Sequence, residues 1–444
     1  MEFSGISFLF YFLPAFLILY FVSSVKHRNL VLLVGSLVFY AWGEPLFFII
    51  LLLSAIFNYL AGKKILNCES EKKKKIVLTV SVLINILVVV LLKGFDHLIA
   101  DKAFVLKTFV PIGIHIYTLH AISFVVETYR GKISKTLKFV NFAAYLCMFP
   151  SILAGPVIKY TQIEKQLNTR RSSIEGFSMG IIRFVFGLSK KVLLADNLFI
   201  LWNSVKCVNP IELSVMSSWL GIISFAMGVY YFISGYSDMA LGLLKMIGFD
   251  VPDNFNYPIL STSVSDFVKR WNISLTTWFY DYIYTPIYKQ NKKGVLFVIA
   301  VILCCISAGL WYGTGLNYIA FGVYFAFLII LEKSFTLKGL IKIPKLFKMI
   351  YTLFFVLSGW VFFANDSICE AILYFKAMFG FGGGFISGTF LYDITSNIVL
   401  LAVSVLSLFP FWTRCARKYM SKTMSYVIVP VSVALILSIS YIVA

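Results

Sequence analysis

Apolar runs of about twenty residues follow one another along nearly the whole chain, and they decide what it can fold into. A stretch of that length crosses the hydrocarbon core of a bilayer as a helix. Hydrophobic residues fill 60% of the 444 positions and charged residues 13%, about half the charged share of a soluble domain. So few charges could not cover the surface of a water-soluble fold. A soluble globular enzyme is therefore excluded, and so is a disordered chain. At roughly 25–40 residues per span with its loop, the length allows about ten to twelve crossings. The expectation is an all-α polytopic integral membrane helix bundle forming one domain over residues 1–444.

The net charge of +19 would suggest nucleic acid in a soluble protein. Here the basic residues stand in short loops between apolar runs, where they set topology and meet anionic head groups. Membrane lipids are thus the expected partners, and nucleic acid is not. Seven cysteines, an odd number without a CxxC, argue against a disulfide framework or a zinc site.

The first apolar run, about Ile6 to Val25, ends at Lys26-His27-Arg28 and lacks a small-residue cleavage site. It reads as a first spanning helix, with its basic flank in the cytoplasm and the N-terminus outside. Gly62 to Lys75, Lys289 to Lys293, Lys333 to Lys348 and Arg414 to Lys422 also read as cytoplasmic, and a last helix starts near Ser425. This describes a multi-pass protein of the inner or plasma membrane. The middle does not alternate: Tyr129 to Lys138 and Lys159 to Arg171 both look cytoplasmic, yet one apolar stretch separates them. A re-entrant or broken segment resolves this, helped by Pro150, Gly155 and Pro156, and such backbone is tolerated at membrane depth only when buried in protein or lining a cavity.

The longest polar interruption runs from about Lys245 to Lys293. It carries Asn254 and Asn256, then Lys269-Arg270-Trp271-Asn272. It reads either as a cytoplasmic connector with interfacial helices or as a polar ligand face, with Lys269 and Arg270 available for phosphate. Before it stands Ser234-Gly235-Tyr236-Ser237-Asp238 near the end of an apolar run. A carboxylate at that depth is paired, functional or at a solvated helix mouth. After it comes Leu310-Trp311-Tyr312-Gly313, where glycine permits close backbone approach and the aromatics suit a membrane interface.

These segments resemble the membrane-bound O-acyltransferase (MBOAT) family, in particular its bacterial branch of alginate O-acetyltransferases and teichoic-acid D-alanyl transfer proteins. The likeness is an ordered set: Phe39-Tyr40-Ala41-Trp42, Pro111-Ile112-Gly113-Ile114, Tyr129-Arg130-Gly131, Ala154-Gly155-Pro156, Gly187 to Asn197, Ser234 to Ala240, Asn254 to Pro258, Trp278 to Tyr282 and Gly359 to Phe363. Each piece is weak alone, but the ordered set is specific and covers most of the chain. The resemblance implies helices around a tunnel. It implies a cytoplasmic acyl-CoA or acyl-carrier donor, with no covalently bound cofactor and no metal. The acceptor would be an extracytoplasmic polysaccharide, or an extracytoplasmic acyltransferase partner that completes the transfer. It places Trp271, Trp311, Gly313, Ser234, Tyr236, Asp238, Asn254, Asn256, Lys269 and Arg270 at substrate.

The family's key histidine lies in a pattern like L-W-H-G, and here that position is Tyr312. A second lies in a pattern like R-W-H-I-S, and here it is Asn272. Imidazole exchanges protons at neutral pH. Asn272 cannot titrate, and tyrosine has an ordinary pKa of about 10. Losing a general base typically costs about 10²–10⁴-fold in rate. Phe232 and Ala364 depart from the bacterial pattern as well. Of the four histidines, His27 and His97 lie in loops. His115 and His120 lie in an apolar segment, about 140° apart around a helix, bound to backbone or water on one reading and relocated catalysts on the other. Two functions stay open: an acyltransferase with altered machinery at Tyr312 and Asn272, and a noncatalytic MBOAT-like protein that binds acyl donor, lipid or a partner. A transporter, the third alternative, is disfavoured by the lack of internal repeats.

Overall fold

The computed structural model describes residues 2–45, 47–99, 113–153, 155–288, 294–335 and 344–410. The expected last helix from Ser425, the basic run Arg414 to Lys422 and the loop Lys289 to Lys293 lie outside them. Within them the secondary structure is helical throughout. Six helices are long and apolar enough to cross a membrane, or seven if a pair bent by 62° at Asn397 is one span. Three shorter apolar helices, Ser7–Val22, Arg28–Gly43 and Phe139–Ile152, stand beside them. The chain is a polytopic helix bundle.

Two compact units emerge, Met1–Leu188 with Tyr236–Pro252, and Ser189–Gly235 with the chain from Asp253 onward. The first contains a π-helical turn Ser7–Phe12, then α1 (Leu13–Val22), α2 (Arg28–Gly43), α3 (Phe48–Asn67), α4 (Glu71–Ile99), α5 (Ile114–Tyr129), α6 (Phe139–Leu146), α7 (Phe149–Ile152), α8 (Tyr160–Thr169) and α9 (Ile174–Ser189). The second contains α10 (Asp196–Lys206), α11 (Val215–Met246), α12 (Val264–Arg270), α13 (Ile273–Phe279), α14 (Thr285–Tyr288), α15 (Gly294–Tyr312), α16 (Leu316–Phe335), α17 (Lys345–Ala364), α18 (Ile368–Met378), α19 (Gly388–Ser396) and α20 (Ile398–Ser407). The last turns of α11, from Tyr236, are counted with the first unit.

The break expected in the middle of the chain is present. The apolar stretch stops at Cys147, restarts as the single turn α7 with Pro150 in its first turn, and then runs extended from Gly155 to Lys159. Its exposed backbone groups are answered by side chains of the same unit. Phe149 N–H donates to Ser36 Oγ at 3.1 Å. Ile158 N–H donates to His120 Nε2 at 3.0 Å, and Ile158 C=O accepts from Tyr145 Oη at 2.8 Å. His120 is fully buried and stacked on Tyr145 at 5.2 Å. It is therefore a support for the broken segment. The ring of Phe149 packs among Phe12, Phe16 and Phe39, with centroids 5.0–5.3 Å away, and this fixes the break in an aromatic core.

In the second unit α15 and α16 form a hairpin. A Cβ on Gly322 would lie 2.6 Å from the Cys305 carbonyl, and one on Gly309 would overlap the Tyr318 carbonyl. Small residues let the two backbones approach, as in other membrane helix pairs. The core of this unit joins Trp202, Phe225, Val264, Phe267, Phe325, Trp360 and Tyr374 from α10, α11, α12, α16, α17 and α18.

Candidate functional site

The polar segment after α11 folds into two short helices, α12 and α13, joined by Trp271 and Asn272. Asn272 adopts a left-handed backbone with φ 42°. Asparagine is one of the few residue types other than glycine that accept this region readily. The turn is clasped by Asn254. Its carbonyl accepts from Ile273 N–H at 2.7 Å, its Oδ1 accepts from Ser274 N–H at 2.9 Å, and its Nδ2 donates to Asn272 Oδ1 at 3.0 Å. Asn254 thus supplies the cap that Asn272, the residue at the start of α13, does not give to its own helix. Asn256 N–H adds a bond to the Arg270 carbonyl at 3.0 Å, so the Asn254 to Asn256 strand and the turn are one hydrogen-bonded piece.

At the other end of this piece, α12 begins on a carboxylate. Glu332, from α16, is 7% exposed. It accepts from Val264 N–H, from Ser265 N–H at 2.9 Å and from Ser265 Oγ at 2.8 Å. Ser263 Oγ also accepts from Asp266 N–H at 3.0 Å. An anion here meets the positive end of the helix. The Trp271 ring rests on Phe267 at 5.5 Å, Phe255 at 5.3 Å and Trp360 at 5.2 Å, with Tyr230 at 6.0 Å. Its position is set from every side.

Tyr312, the last residue of α15, meets this turn. Its hydroxyl has the Asn272 and Trp271 side chains as polar neighbours. Indole N–H only donates. Asn272 Oδ1 is already engaged by Asn254, which leaves its amide NH₂ as the other donor beside the phenol. The Tyr312 ring packs edge-on against Phe363 at 5.4 Å. Gly313 follows because the Tyr318 ring occupies the place a Cβ would need. Positions 272 and 312, forty residues apart in sequence, are thus neighbours in space.

The other expected residues divide. Arg270 is held by Asp266, Nε to Oδ1 2.9 Å, and also donates to the Asn256 carbonyl at 3.3 Å, whereas Lys269 is exposed. Trp311 is half-buried, and the Asn256 side chain is exposed. Ser234 is buried, with a hydroxyl that has no partner among the described residues. Tyr236 and Asp238 are counted with the first unit. There the Tyr236 ring lies 6.1 Å from Phe3, and Asp238 Oδ1 accepts from Arg183 Nε at 3.1 Å and Nη2 at 2.9 Å. Of the three readings of that carboxylate, it takes the paired one. Sequence reasoning missed Glu332 and Arg183. Arg183 is a lone charge in an apolar run, the signal that singled out Asp238, whereas Glu332 ends its run next to Lys333.

A family model described as MBOAT, membrane-bound O-acyltransferase family, matches residues 39–374. The chain is 35% identical over 389 residues to a probable alginate O-acetylase of Pseudomonas fluorescens, covering 86% of this chain and 76% of that one. It is 26% identical over 420 residues to the peptidoglycan O-acetyltransferase of Helicobacter pylori, covering 85% and 79%. It is 25% identical over 230 residues to the teichoic acid D-alanyltransferase of Bacillus subtilis, covering 49% and 58%. With a match that takes in the Asn254 clasp, the Trp271–Asn272 turn and Tyr312, the chain belongs to the membrane-bound O-acyltransferase family.

Proposed function

We propose that the chain, as one domain of the inner or plasma membrane with an extracytoplasmic N-terminus, carries acetyl groups outward. The donor is acyl-CoA or an acyl carrier in the cytoplasm. The acceptor is an envelope polysaccharide, or an extracytoplasmic acyltransferase partner that passes the group on. The relatives named alginate O-acetylase and peptidoglycan O-acetyltransferase support the acetyl group and the glycan acceptor. The observation that carries the reading is the proximity of Tyr312 to Asn272 and Trp271. The two positions where the resemblance puts the family's histidines are both polar here and lie beside each other.

In this reading Tyr312 works as a hydrogen-bond donor. A phenol whose polar neighbours are donors has its own hydrogen to offer, and an acyl carbonyl oxygen is a suitable acceptor as negative charge develops on it. Asn272 positions the phenol, and Asn254 positions Asn272. Trp271, Trp311 and Gly313 shape the acyl site, and Ser234, Tyr236, Asp238 and Asn256 are the further candidates for contact with substrate. Lys269 and Arg270 face the phosphates of the donor. Neither Asn272 nor Trp271 exchanges protons near neutrality, so the acceptor hydroxyl loses its proton to water or to the partner, and turnover is slow.

The test is acetyl content of surface glycan in cells lacking the gene, restored with wild type, Tyr312→Phe or Asn272→Ala, alongside acetyl-CoA consumption by purified protein. Wild type restores acetylation and Tyr312→Phe does not. The absence at both positions of a group that exchanges protons near neutrality favours a second reading, a noncatalytic binder of donor, lipid or partner. Under that reading Tyr312→Phe restores acetylation fully and no acetyl-CoA is consumed.

A further inference from the structure

In the first unit α1 and α2 enclose a groove of about 460 Å³. Ala15, Leu19 and Ser23 line it from α1, and Leu30, Val34 and Trp42 from α2. Gly35 makes its floor: the Phe16 ring lies 2.6 Å from where a Cβ would stand, so the ring rests on the α2 backbone. From Leu30 to Trp42 the groove runs twelve residues, about 18 Å of helix. Leu19 and Trp42 are each 62% exposed and Val34 51%, so its walls are apolar and open to the surroundings of the unit.

One end is chemically distinct. Ser23 and Leu30 bracket the loop that carries Lys26, His27 and Arg28. Arg28 Nη1 donates to the Ser172 hydroxyl at 3.0 Å, while its Nε is buried without a partner. Among the described residues neither Lys26 nor Arg28 has a carboxylate partner. The uncapped N-terminus of α2 opens at the same loop, adding the partial positive charge of its free N–H groups. An apolar slot ending in unneutralised cations matches an amphiphile with an anionic head. A second copy of this chain would bring its own basic loop to the same place and leave the charge uncompensated.

We infer that the α1–α2 groove is a binding site for an anionic glycerophospholipid of the membrane, with one acyl chain in the slot and its phosphate at Lys26 and Arg28. The site stands apart from the acyl-transfer reading, since none of its residues belongs to the Tyr312 cluster. The test uses purified protein in mixed micelles with phosphatidylglycerol or phosphatidylcholine carrying a photoactivatable acyl chain, and maps the labelled peptides. Phosphatidylglycerol labels residues 11–42 at least fivefold more than the exposed apolar face of α20, and at least fivefold more than phosphatidylcholine does. Ala15→Trp, which fills the slot, removes that label and leaves the labelling of α20 unchanged, which also reports that the variant is folded. Lys26→Gln with Arg28→Gln abolishes the preference between the two lipids. Equal labelling of the groove and α20, equal labelling by the two lipids in wild type, or labelling unchanged in Ala15→Trp overturns the inference.

Discussion

Replacing Glu332 by alanine removes one carboxylate from three donors at the start of α12. Val264 is fully buried, so its N–H has no water to turn to, and an orphaned buried donor costs about 1–3 kcal/mol. Ser265 is only part-buried and its hydroxyl can rotate, so its two bonds are worth roughly 0.5–1 kcal/mol each beyond their replacement by water. The favourable placement of an anion at a helix N-terminus adds about 0.5–1 kcal/mol. The expected loss is therefore about 2.5–6 kcal/mol, or a fall of roughly 5–12 °C in Tm for a unit of some 240 residues. Glu332→Gln keeps one carbonyl oxygen and should fall by about half as much. Thermal unfolding of detergent-purified protein, followed by tryptophan fluorescence, reads both, because α12 leads directly into Trp271. An alanine variant melting within about 1 °C of wild type, or a glutamine variant as damaged as the alanine one, would refute the account of Glu332 as the clamp of this helix.

Asn272→Gly should fold within about 0.5 kcal/mol of wild type, since glycine suits the left-handed backbone, whereas Asn272→Ala should lose about 1–2 kcal/mol more; if acetylation falls equally in both, the side chain and not the backbone is what function needs. Asp238→Asn should lower stability by about 3 kcal/mol by stranding the Arg183 guanidinium, and Arg183→Met with Asp238→Leu should recover more than half of that; chemical denaturation of the single and double variants decides it. His120→Ala should cost about 3 kcal/mol through the orphaned Ile158 N–H and the vacated ring, yet the fraction that folds should consume acetyl-CoA at the wild-type rate, which a relocated catalyst would not allow. Gly322→Leu should force α15 and α16 apart and reduce the yield of monodisperse protein severalfold, as gel filtration will show.

The helical class was legible because apolar runs and basic loops obey the bilayer, and the broken middle was legible because two basic loops bracket one span. Pro150, Gly155 and Pro156 mark where it breaks, but nothing local announces that His120 and Tyr145 hold it. Those partners are 38 and 13 residues away from Ile158, and only the fold brings them together. The same limit hid the Arg183–Asp238 pair, 55 residues apart, and the hold of Glu332 on α12. Glu332 stands next to Lys333 at the edge of a basic run, so it read as loop charge. Trp271 and Asn254 stood out in sequence as parts of the longest polar segment. Their mutual geometry depends on the sign of one backbone angle, which composition does not record.

That angle also bears on which residues position 272 accepts, where the family resemblance points to histidine and this chain carries asparagine. A left-handed backbone at residue 272 screens out β-branched and bulky replacements, so drift at this site is confined to a short set that includes both asparagine and histidine. In the genetic code asparagine and tyrosine each lie a single base from histidine. Residues 272 and 312 are therefore one mutational step each from the histidines that the resemblance places there, in a turn that Asn254 clasps. Comparing the chain with its Asn272→His and Tyr312→His variants would show what imidazoles at these two codons add.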